Sequence, residues 1–346
     1  MKKIVKHVAG IDVAQKELVV CLGRIYDDLS SELYSHKTFA NSVSGFKSMV
    51  SWAQLSAKEM AFHYVMEATG VYHESLAYYL WEKDLIVSIV LPNKICNYSR
   101  TLQVKTVTDK TASEAIAQFG LERKLEQWQP QKPIYKKLKQ LTRERDQLVG
   151  TRTVAKNQLH AEKSEAEPNQ GSINRNIKLL AFLNKQEKEI KDEINRLVSK
   201  DEEVKALVKL ECSITGIGVL TAVTVLAETN GFEMIRNKRQ LTSYAGLDVK
   251  EKQSGTSVKG KSRISKKGNR YLRKAMHMPA LSAIGNDDRY KAVFSRLVSK
   301  HGIKMKAVVA VQRKLLEMMF TVFQRQEKYV KGYLISKEVQ RELTPQ

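Results

Sequence analysis

Apolar residues in the first 130 positions fall into short continuous runs, separated by stretches in which they recur every three or four residues. The runs predict strands and cover 7–12, 18–22, 33–39, 61–67 and 85–92. The stretches between them predict three helices, at about 42–55, 74–83 and 108–125. Strands joined by helices in this way predict an α/β domain with a mixed sheet.

A second pattern begins after Pro130 and Pro133, where the chain becomes rich in charge and poor in glycine. From Ile134 to about Leu207 apolar residues keep steps of three and four, interrupted by turn-forming residues at 164–172. We predict two long helices that form a coiled-coil hairpin. An exposed apolar seam favours oligomerisation, and the alternative is a seam that packs on its own domain.

The last part of the chain is predicted to be mainly helical. Ile-Thr-Gly-Ile-Gly at 214–218 has the form of a helix-hairpin-helix turn, in which Gly216 and Gly218 let backbone N–H groups face a phosphate. Two further helices are predicted, at 270–283 and 305–329. The predicted domains are 1–130, 131–207 and 208–346.

The charge of the chain indicates an anionic partner. Its 346 residues include 59 Lys+Arg against 37 Asp+Glu, a formal net charge of +22, which favours nucleic acid over an anionic membrane. No apolar run is long enough to span a membrane, and no signal segment opens the chain. Three widely separated cysteines, Cys21, Cys96 and Cys212, predict a reducing, cytoplasmic compartment without disulfides or a zinc site.

The densest candidate chemistry lies between Gln253 and Lys274. Hydroxyl residues and a glycine at 254–257 precede a run from Lys259 that contains no acidic residue. Clustered cations bind phosphate, and Ser254 is a candidate nucleophile toward a phosphodiester. The alternative is a solvated basic loop whose serines only make turns. With Gly216 and Gly218, the candidate nucleic-acid-binding residues are Lys259, Lys261, Arg263, Lys266, Lys267, Arg270, Arg273 and Lys274.

Three acids stand at the ends of predicted elements. Asp12 and Glu67 each close a strand, and Asp109 opens a helix. If the two strands are neighbours, the carboxylates meet at one sheet edge, where their repulsion favours a divalent cation between them. Mg²⁺ is the oxygen-preferring choice. Each acid alone is more often a cap or a surface ion pair.

These motifs resemble those of the one-ten family of insertion-sequence transposases, which includes the Piv-type DNA invertases. Residues similar to the family's DEDD motifs are Gly-Ile-Asp-Val-Ala at 10–14, Met-Glu-Ala-Thr-Gly-Val-Tyr at 66–72 and Thr-Asp-Lys at 108–110. The resemblance continues at 214–218, 244–247, 254–260 and 272–275. It therefore runs in order over nearly the whole chain.

The resemblance implies a bacterial DNA transposase or recombinase. Its N-terminal domain would be RuvC-like, with an RNase H-type core that binds Mg²⁺ through Asp12, Glu67 and Asp109. In its C-terminal transposase domain, Ser254 would attack the DNA phosphodiester and form a phosphoserine link, with serine and carboxylates from different protomers. A homo-oligomer, dimer or tetramer, would hold target and donor double-stranded DNA, guided by a structured non-coding bridge RNA.

One position departs from the family pattern. The family's fourth acid lies three residues after the third, but here Ala112 stands three residues after Asp109. Residues three apart share a helix face, whereas Glu114 lies roughly 140° round from Asp109 and is a poor substitute. Either this chain works with three carboxylates, or Ala112 replaces an aspartate to inactivate it. The intact motif around position 112 favours the second interpretation.

Two other functions fit parts of the pattern. A metal-dependent nuclease of the Holliday-junction type would use the carboxylates alone, and Ser254 would only hold phosphate. A non-catalytic nucleic-acid-binding protein would have lost its acid at position 112. A covalent protein–DNA adduct separates the serine recombinase from the nuclease, and activity after Ala112→Asp excludes the non-catalytic protein.

Overall fold

The computed structural model describes residues 2–57, 61–68, 70–102, 106, 108–251, 253–254, 258–260 and 263–332, with the backbone alone at 253–254 and 258–259. The chain divides into two compact units, Met1–Pro130 and Gln131–Gln346. The predicted hairpin and the C-terminal helices thus belong to one unit. No helix in the described ranges is long and apolar enough to cross a membrane.

The N-terminal unit is built on a five-stranded mixed sheet, which confirms the predicted α/β character. Its strands are β1 (Ile4–Val13), β2 (Glu17–Tyr26), β3 (Ser31–Ala40), β4 (Phe62–Glu67) and β5 (Ile86–Val90). Their order is β3-β2-β1-β4-β5. The β1–β2 and β2–β3 pairs are antiparallel, and the β1–β4 and β4–β5 pairs are parallel. Strand β1 is central, which explains its continuous apolar run.

Helices cover both faces of this sheet. They are α1 (Val43–Ala57), α2 (Glu74–Glu82), α3 (Pro92–Ser99) and α4 (Asp109–Glu122). One face packs on Phe46 of α1 and Leu76 of α2, and the other packs on Ile95 of α3 and Ile116 of α4. The apolar pattern does not predict α3, because eight residues are too few to show a helical period.

The C-terminal unit is mainly helical, as predicted. Its helices are α5 (Pro133–Ser164), α6 (Gln170–Lys200), α7 (Glu202–Glu211), α8 (Val219–Glu228), α9 (Lys238–Tyr244), α10 (Arg270–Ala275), α11 (His277–Asn286), α12 (Asp288–His301) and α13 (Lys304–Arg325). The single helix predicted at 270–283 is two helices that meet at Met276. Helix α12 is not predicted, although Asp287 caps its start and Gly302 ends it in a left-handed conformation.

Helices α5 and α6 pack along each other as a helical hairpin. Near its base, Leu138 and Leu141 of α5 and Ile190 and Ile194 of α6 belong to the large apolar core of the unit. The seam therefore packs on its own domain at that end, which is the alternative to an exposed seam. Oligomerisation stays a prediction.

A buried carboxylate occupies one position of this seam. Glu187 on α6 lies 2.8 Å from Nη2 of Arg145 and 2.9 Å from Nζ of Lys191, and it also pairs with Arg152. Burial acts to raise the pKa of Glu187, but Lys191 and Arg145 outweigh it, so the pKa is lowered overall. Glu187 is therefore charged and links α5 to α6.

A second buried acid has no such partners. Glu211 ends α7, is fully buried, and neither carboxylate oxygen has a hydrogen-bond partner in the described part of the chain. Burial raises the pKa of Glu211 to about 9 from 4.5. The folded protein therefore keeps a proton that the unfolded chain loses above pH 4.5. Its free energy of unfolding falls by up to about 1.4 kcal/mol per pH unit until the folded-state pKa is reached.

We expect Glu211→Met to stabilise the protein increasingly as pH rises. The difference in free energy of unfolding from the unmodified chain should grow by about 3 kcal/mol between about pH 5 and pH 7.5. Urea unfolding at the two pH values measures it. The control is Glu202→Met on the same helix, since the Glu202 side chain is 81% exposed. A difference that does not change with pH would show that Glu211 is ionised in the folded state.

Candidate active site and nucleic-acid interface

The pairing of β1 with β4 brings two of the predicted acids to one level of the sheet. The strands are parallel, and the last paired residues are Ile11 and Met66. Asp12 and Glu67 each follow by one residue, so they lie side by side where both strands end. The apolar runs that end in an acid thus correspond to neighbouring strands, which is the condition for the predicted carboxylate site.

Strand alternation places both carboxylates on the same face of the sheet. Ile11 and Met66 belong to the apolar core on one face, and Val8 and Val65 to the core on the other. Because side chains alternate along a strand, Asp12 has the same orientation as Val8, and Glu67 has that of Val65. That is the face covered by α4.

Two glycines let α4 approach this face closely. A Cβ atom on Gly10 would lie 2.2 Å from the backbone nitrogen of Ala117 on α4, which no packing tolerates. Gly120 on α4 is similarly confined, since its Cβ would lie 2.8 Å from Val8 and 2.9 Å from Val65. The glycine two residues before Asp12 is therefore required by the contact between β1 and α4.

The third acid lies in the first turn of α4. Thr108 caps the helix by accepting from the backbone N–H of Thr111, 3.2 Å away, and Thr111 Oγ1 accepts from the N–H of Thr108 at 2.8 Å. This capping box fixes the turn that carries Asp109. An acid there is also favoured by the helix dipole. Asp109 is exposed, whereas Asp12 and Glu67 are half-buried.

Electrostatics show that the three carboxylates share one region. Burial raises the pKa of Asp12, and the charges of Asp109 and then Glu67 raise it further. A hydrogen bond from the backbone of Val13 acts in the opposite direction. Like charges at this range oppose ionisation unless a cation compensates them.

A divalent cation suits this donor set. Carboxylate oxygens are hard ligands, and a cation between them would relieve the repulsion at Asp12. Among the described residues, however, no three His, Cys, Asp or Glu side chains are already arranged around one ion position. For a cation to bind here, the carboxylates of Asp12, Glu67 and Asp109 would have to move closer together.

The side chains of Ala112 and Glu114 point in different directions from α4. Ala112 is half-buried, three residues after Asp109 and on the same helix face. The carboxylate of Glu114 lies 3.0 Å from Nε2 of His36 on β3. Glu114 is therefore engaged with the edge of the sheet, in agreement with its unsuitability as a substitute for an acid at position 112.

Ser254 lies in the inner of two nested antiparallel ladders of the C-terminal unit. The outer ladder joins β6 (Val249–Lys250) to β9 (Arg263–Ile264), and the inner one joins β7 (Gln253–Ser254) to β8 (Val258–Lys259). Ser254 pairs with Val258. The predicted cation Lys261 lies outside the described residues.

The basic run that follows is held against the end of α9. The N–H of Asn269 donates to the carbonyl of Tyr244 at 2.7 Å, and that of Lys266 to Gly246 at 3.1 Å. Gly268 passes so close that a Cβ there would lie 2.4 Å from the Tyr244 carbonyl oxygen. The predicted cations Arg263, Lys266, Lys267, Arg270 and Lys274 are exposed. Arg273 instead donates from Nη1 to the carbonyls of Ala245 (2.8 Å) and Gly268 (3.1 Å).

The glycines at 216 and 218 form the turn between α7 and α8. Gly216 has φ +90°, and a Cβ there would lie 2.5 Å from the carbonyl oxygen of Pro279 on α11. Gly218 caps the start of α8 and has open space around it. Gly216 is thus required for packing, and Gly218 is the one that leaves room for a ligand.

A buried ion pair missed by sequence reasoning supports α10. Glu228 at the end of α8 is fully buried and accepts from Nε (2.7 Å) and Nη2 (2.9 Å) of Arg143 on α5. Asn269, which caps α10, also donates to Glu228, at 2.7 Å. Removing Arg143 would leave the Glu228 carboxylate buried without its cation, which costs roughly 3–5 kcal/mol. The sequence signal was an acid ending an otherwise apolar helix.

Comparison with known proteins identifies transposase sequences in both units. A model of DEDD-type IS110 transposases matches residues 9–162, and a model described as transposase IS116/IS110/IS902 family matches residues 209–294. The pilin gene-inverting protein of Moraxella bovis is 28% identical over 94% of this chain and 98% of its own. The transposase for insertion sequence element IS1111A of Coxiella burnetii is 30% identical over 37% of this chain and 38% of its own. RuvC of T. thermophilus, solved with a Holliday junction substrate, matches 35% of this chain and 99% of its own at 12% identity and a TM-score of 0.28.

The protein is therefore a DNA transposase, an enzyme of DNA recombination. The DEDD-type model spans Asp12, Glu67 and Asp109, and the second model spans Ser254 and the basic run. The chain belongs to the IS110 family of transposases.

Proposed function

We propose that the protein cuts and rejoins double-stranded DNA through a phosphoserine link on Ser254, assisted by Asp12, Glu67 and Asp109. The observation that carries the proposal is the convergence of three carboxylates at the ends of β1, β4 and the start of α4, within a chain that also carries a serine beside a basic run. Carboxylates and cations are both needed where a phosphodiester reacts.

The covalent step exchanges one bond for another. The Ser254 hydroxyl loses its proton as its oxygen bonds to phosphorus, and one of the two P–O bonds to deoxyribose breaks. The leaving sugar oxygen takes up a proton. The exposed cations near Ser254, such as Arg263 and Lys266, stabilise charge on the phosphate oxygens. Attack by a second sugar hydroxyl reverses the step, so rejoining needs no external energy source.

The metal proposed for the N-terminal unit is Mg²⁺, held by Asp12, Glu67 and Asp109. When bound, such an ion supplies charge stabilisation to phosphate and activates a hydroxyl. The residues contribute an oxygen-rich donor set, in which half-buried Asp12 resists ionisation without a cation.

Three further features of the proposal rest on the family resemblance. A structured non-coding guide RNA pairs with target and donor DNA, and the net charge of +22 suits a protein that holds several polyanions. The protein acts as a homo-oligomer, in which carboxylates and serine come from different protomers. The turn at Gly216 and Gly218 acts as a helix-hairpin-helix that contacts phosphate without reading sequence. An RuvC-like fold of the N-terminal unit belongs to the same proposal.

The test is to place an aspartate at position 112. Ala112 is half-buried near the start of α4, where the helix dipole favours an acid, so Ala112→Asp adds a carboxylate beside Asp109. We expect it to raise strand exchange on a plasmid carrying the element's ends, with its flanking non-coding RNA, by at least about a hundredfold. The control is Ser48→Asp on α1, which adds the same charge away from the site.

The outcomes separate the competing functions. Strand exchange that rises with Ala112→Asp but not with Ser48→Asp supports the proposal. Nicked DNA with free ends and no exchange would indicate the metal-dependent nuclease. Tight DNA binding with neither product would indicate a non-catalytic binding protein.

A further inference from the structure

A cavity in the C-terminal unit lies between the hairpin and the helices that follow the basic run. Its volume is about 770 Å³. Its walls are formed by α5, α8, α10 and α11, and Ile264 of β9 places it at the base of the ladders that carry Ser254. The cavity is distinct from the carboxylate site, whose residues all belong to the N-terminal unit.

The lining of this cavity combines cations with an apolar floor. Arg143, Arg145, Arg270, Arg273 and Lys274 line it, against a single acid, Asp146. Val149, Leu220 and Met278 supply apolar surface. A ligand that fits must therefore carry negative charge on one part and an apolar or aromatic surface on another.

The cations are held in place before any ligand arrives. The guanidinium of Arg143 lies 4.4 Å from the ring centre of Tyr271, and that of Arg270 lies 4.9 Å from it. Arg270 also donates from Nη2 to the Tyr271 hydroxyl at 3.1 Å. The Glu228 pair fixes Arg143. Rigid guanidinium groups bind phosphate with a smaller loss of side-chain entropy.

One donor at this site has no partner. Nε of Arg145 is buried and makes no hydrogen bond in the described part of the chain, although its Nη2 donates to Glu187 at 2.8 Å. A buried unsatisfied donor costs roughly 1–3 kcal/mol. Because Arg145 lines the cavity, an anion that reaches this nitrogen would satisfy it, which is a second reason to expect an anionic ligand.

We propose that this cavity binds one or two unpaired nucleotides of the nucleic acid that is processed at Ser254. A cube of 770 Å³ has an edge of about 9 Å, whereas a double helix is wider than its own major groove of roughly 12 Å. A duplex therefore does not enter, whereas an unpaired nucleotide does. Its phosphate meets Arg145 and Arg270, and its base lies against the apolar floor. The proposal rests on the proposed function for the choice of nucleic acid.

The chain offers a matched pair of variants for the test. Arg145 and Arg152 both lie on α5 and both pair with Glu187, but only Arg145 lines the cavity. Arg145→Gln and Arg152→Gln therefore remove the same charge and leave Glu187 with two remaining cations. Thr221→Tyr, at the cavity wall on α8, fills the space without changing charge.

Binding is measured by fluorescence anisotropy with labelled single-stranded decamers of thymidine and of uridine, and with a duplex decamer. We expect Arg145→Gln and Thr221→Tyr to weaken single-strand binding at least about tenfold, with less than about a twofold change for Arg152→Gln. Arg145→Gln should also flatten the salt dependence by about 0.7 for each phosphate that is no longer neutralised. If the two variants weaken binding of the thymidine decamer only, the strand is DNA. If they weaken binding of the uridine decamer only, it is RNA, and if they weaken both, the cavity accepts either.

Equal weakening by Arg145→Gln and Arg152→Gln, or equal weakening on single strand and duplex, would overturn the cavity site and indicate an open basic surface. Adduct formation at Ser254 is followed in parallel, with Ala112→Asp present in every variant. A chain that binds the decamers through the cavity but forms no adduct would reject the proposed function and keep the cavity. If the adduct forms but Thr221→Tyr has no effect on binding, the proposed function is kept and the cavity site is rejected.

Discussion

Ser254→Ala is expected to abolish a covalent protein–DNA adduct that the parent chain with Ala112→Asp forms. Without the hydroxyl there is no oxygen to bond to phosphorus, so the loss should be complete rather than partial. The measurement is denaturing gel electrophoresis of labelled DNA after incubation with protein, Mg²⁺ and the guide RNA. Binding of DNA before denaturation should be unchanged, because a single hydroxyl adds little to an interface dominated by cations.

Ser257→Ala is the matched control, since Ser257 lies in the same segment and is the competing nucleophile. Residue 257 lies outside the described residues, so the sequence alone makes it a competitor. The adduct should persist in Ser257→Ala. If it persists in Ser254→Ala and disappears in Ser257→Ala, the nucleophile has been assigned to the wrong serine.

Asp12→Asn, again with Ala112→Asp, is expected to lower strand exchange by roughly a thousandfold, about 4 kcal/mol in activation free energy. The amide keeps the shape of the side chain but removes the charge that would hold a cation. The same variant should relieve repulsion from Asp109 and Glu67, so it should raise the melting temperature in the absence of divalent ions. Added Mg²⁺ should stabilise the parent and not the variant.

Asp84→Asn is the control for a carboxylate outside the site. Asp84 follows α2 with φ 54°, a conformation that asparagine adopts easily, so this change should leave both activity and the Mg²⁺ effect intact. If Asp12→Asn keeps full activity, or if Mg²⁺ still raises its melting temperature as much as that of the parent, Asp12 is not a metal ligand.

The sequence predicted the strands and the carboxylates because their signals are local. An apolar run that ends in an acid marks both Asp12 and Glu67, and a threonine before Asp109 marks a helix start. Neighbouring strand positions then follow from β1 pairing with β4. A glycine at position 10 indicates that some part of the chain approaches closely there. The sequence does not show that this part is α4.

The residues that sequence reasoning missed depend on distant partners. Arg143 and Glu228 are 85 positions apart, and nothing in the periodicity of α5 or α8 pairs them. The local sequence around Glu211 indicates neither its burial nor its lack of hydrogen-bond partners among the described residues, because a charged residue at a helix end is usually exposed. Arg273 looks like its cationic neighbours in sequence, yet one of its nitrogens holds backbone carbonyls.

The length of the hairpin of α5 and α6 has a consequence for an oligomer. The 32 residues of α5 extend about 48 Å at about 1.5 Å per residue, the length of about fourteen base pairs of DNA. Ile177 and Phe182 are exposed near the far end, at 45% and 57%. If two copies were joined there, the length of the hairpin would fix the separation of their serine segments. Removing one heptad from each helix would shorten each arm by about 10 Å, and would shift the positions at which two strands are cut relative to each other.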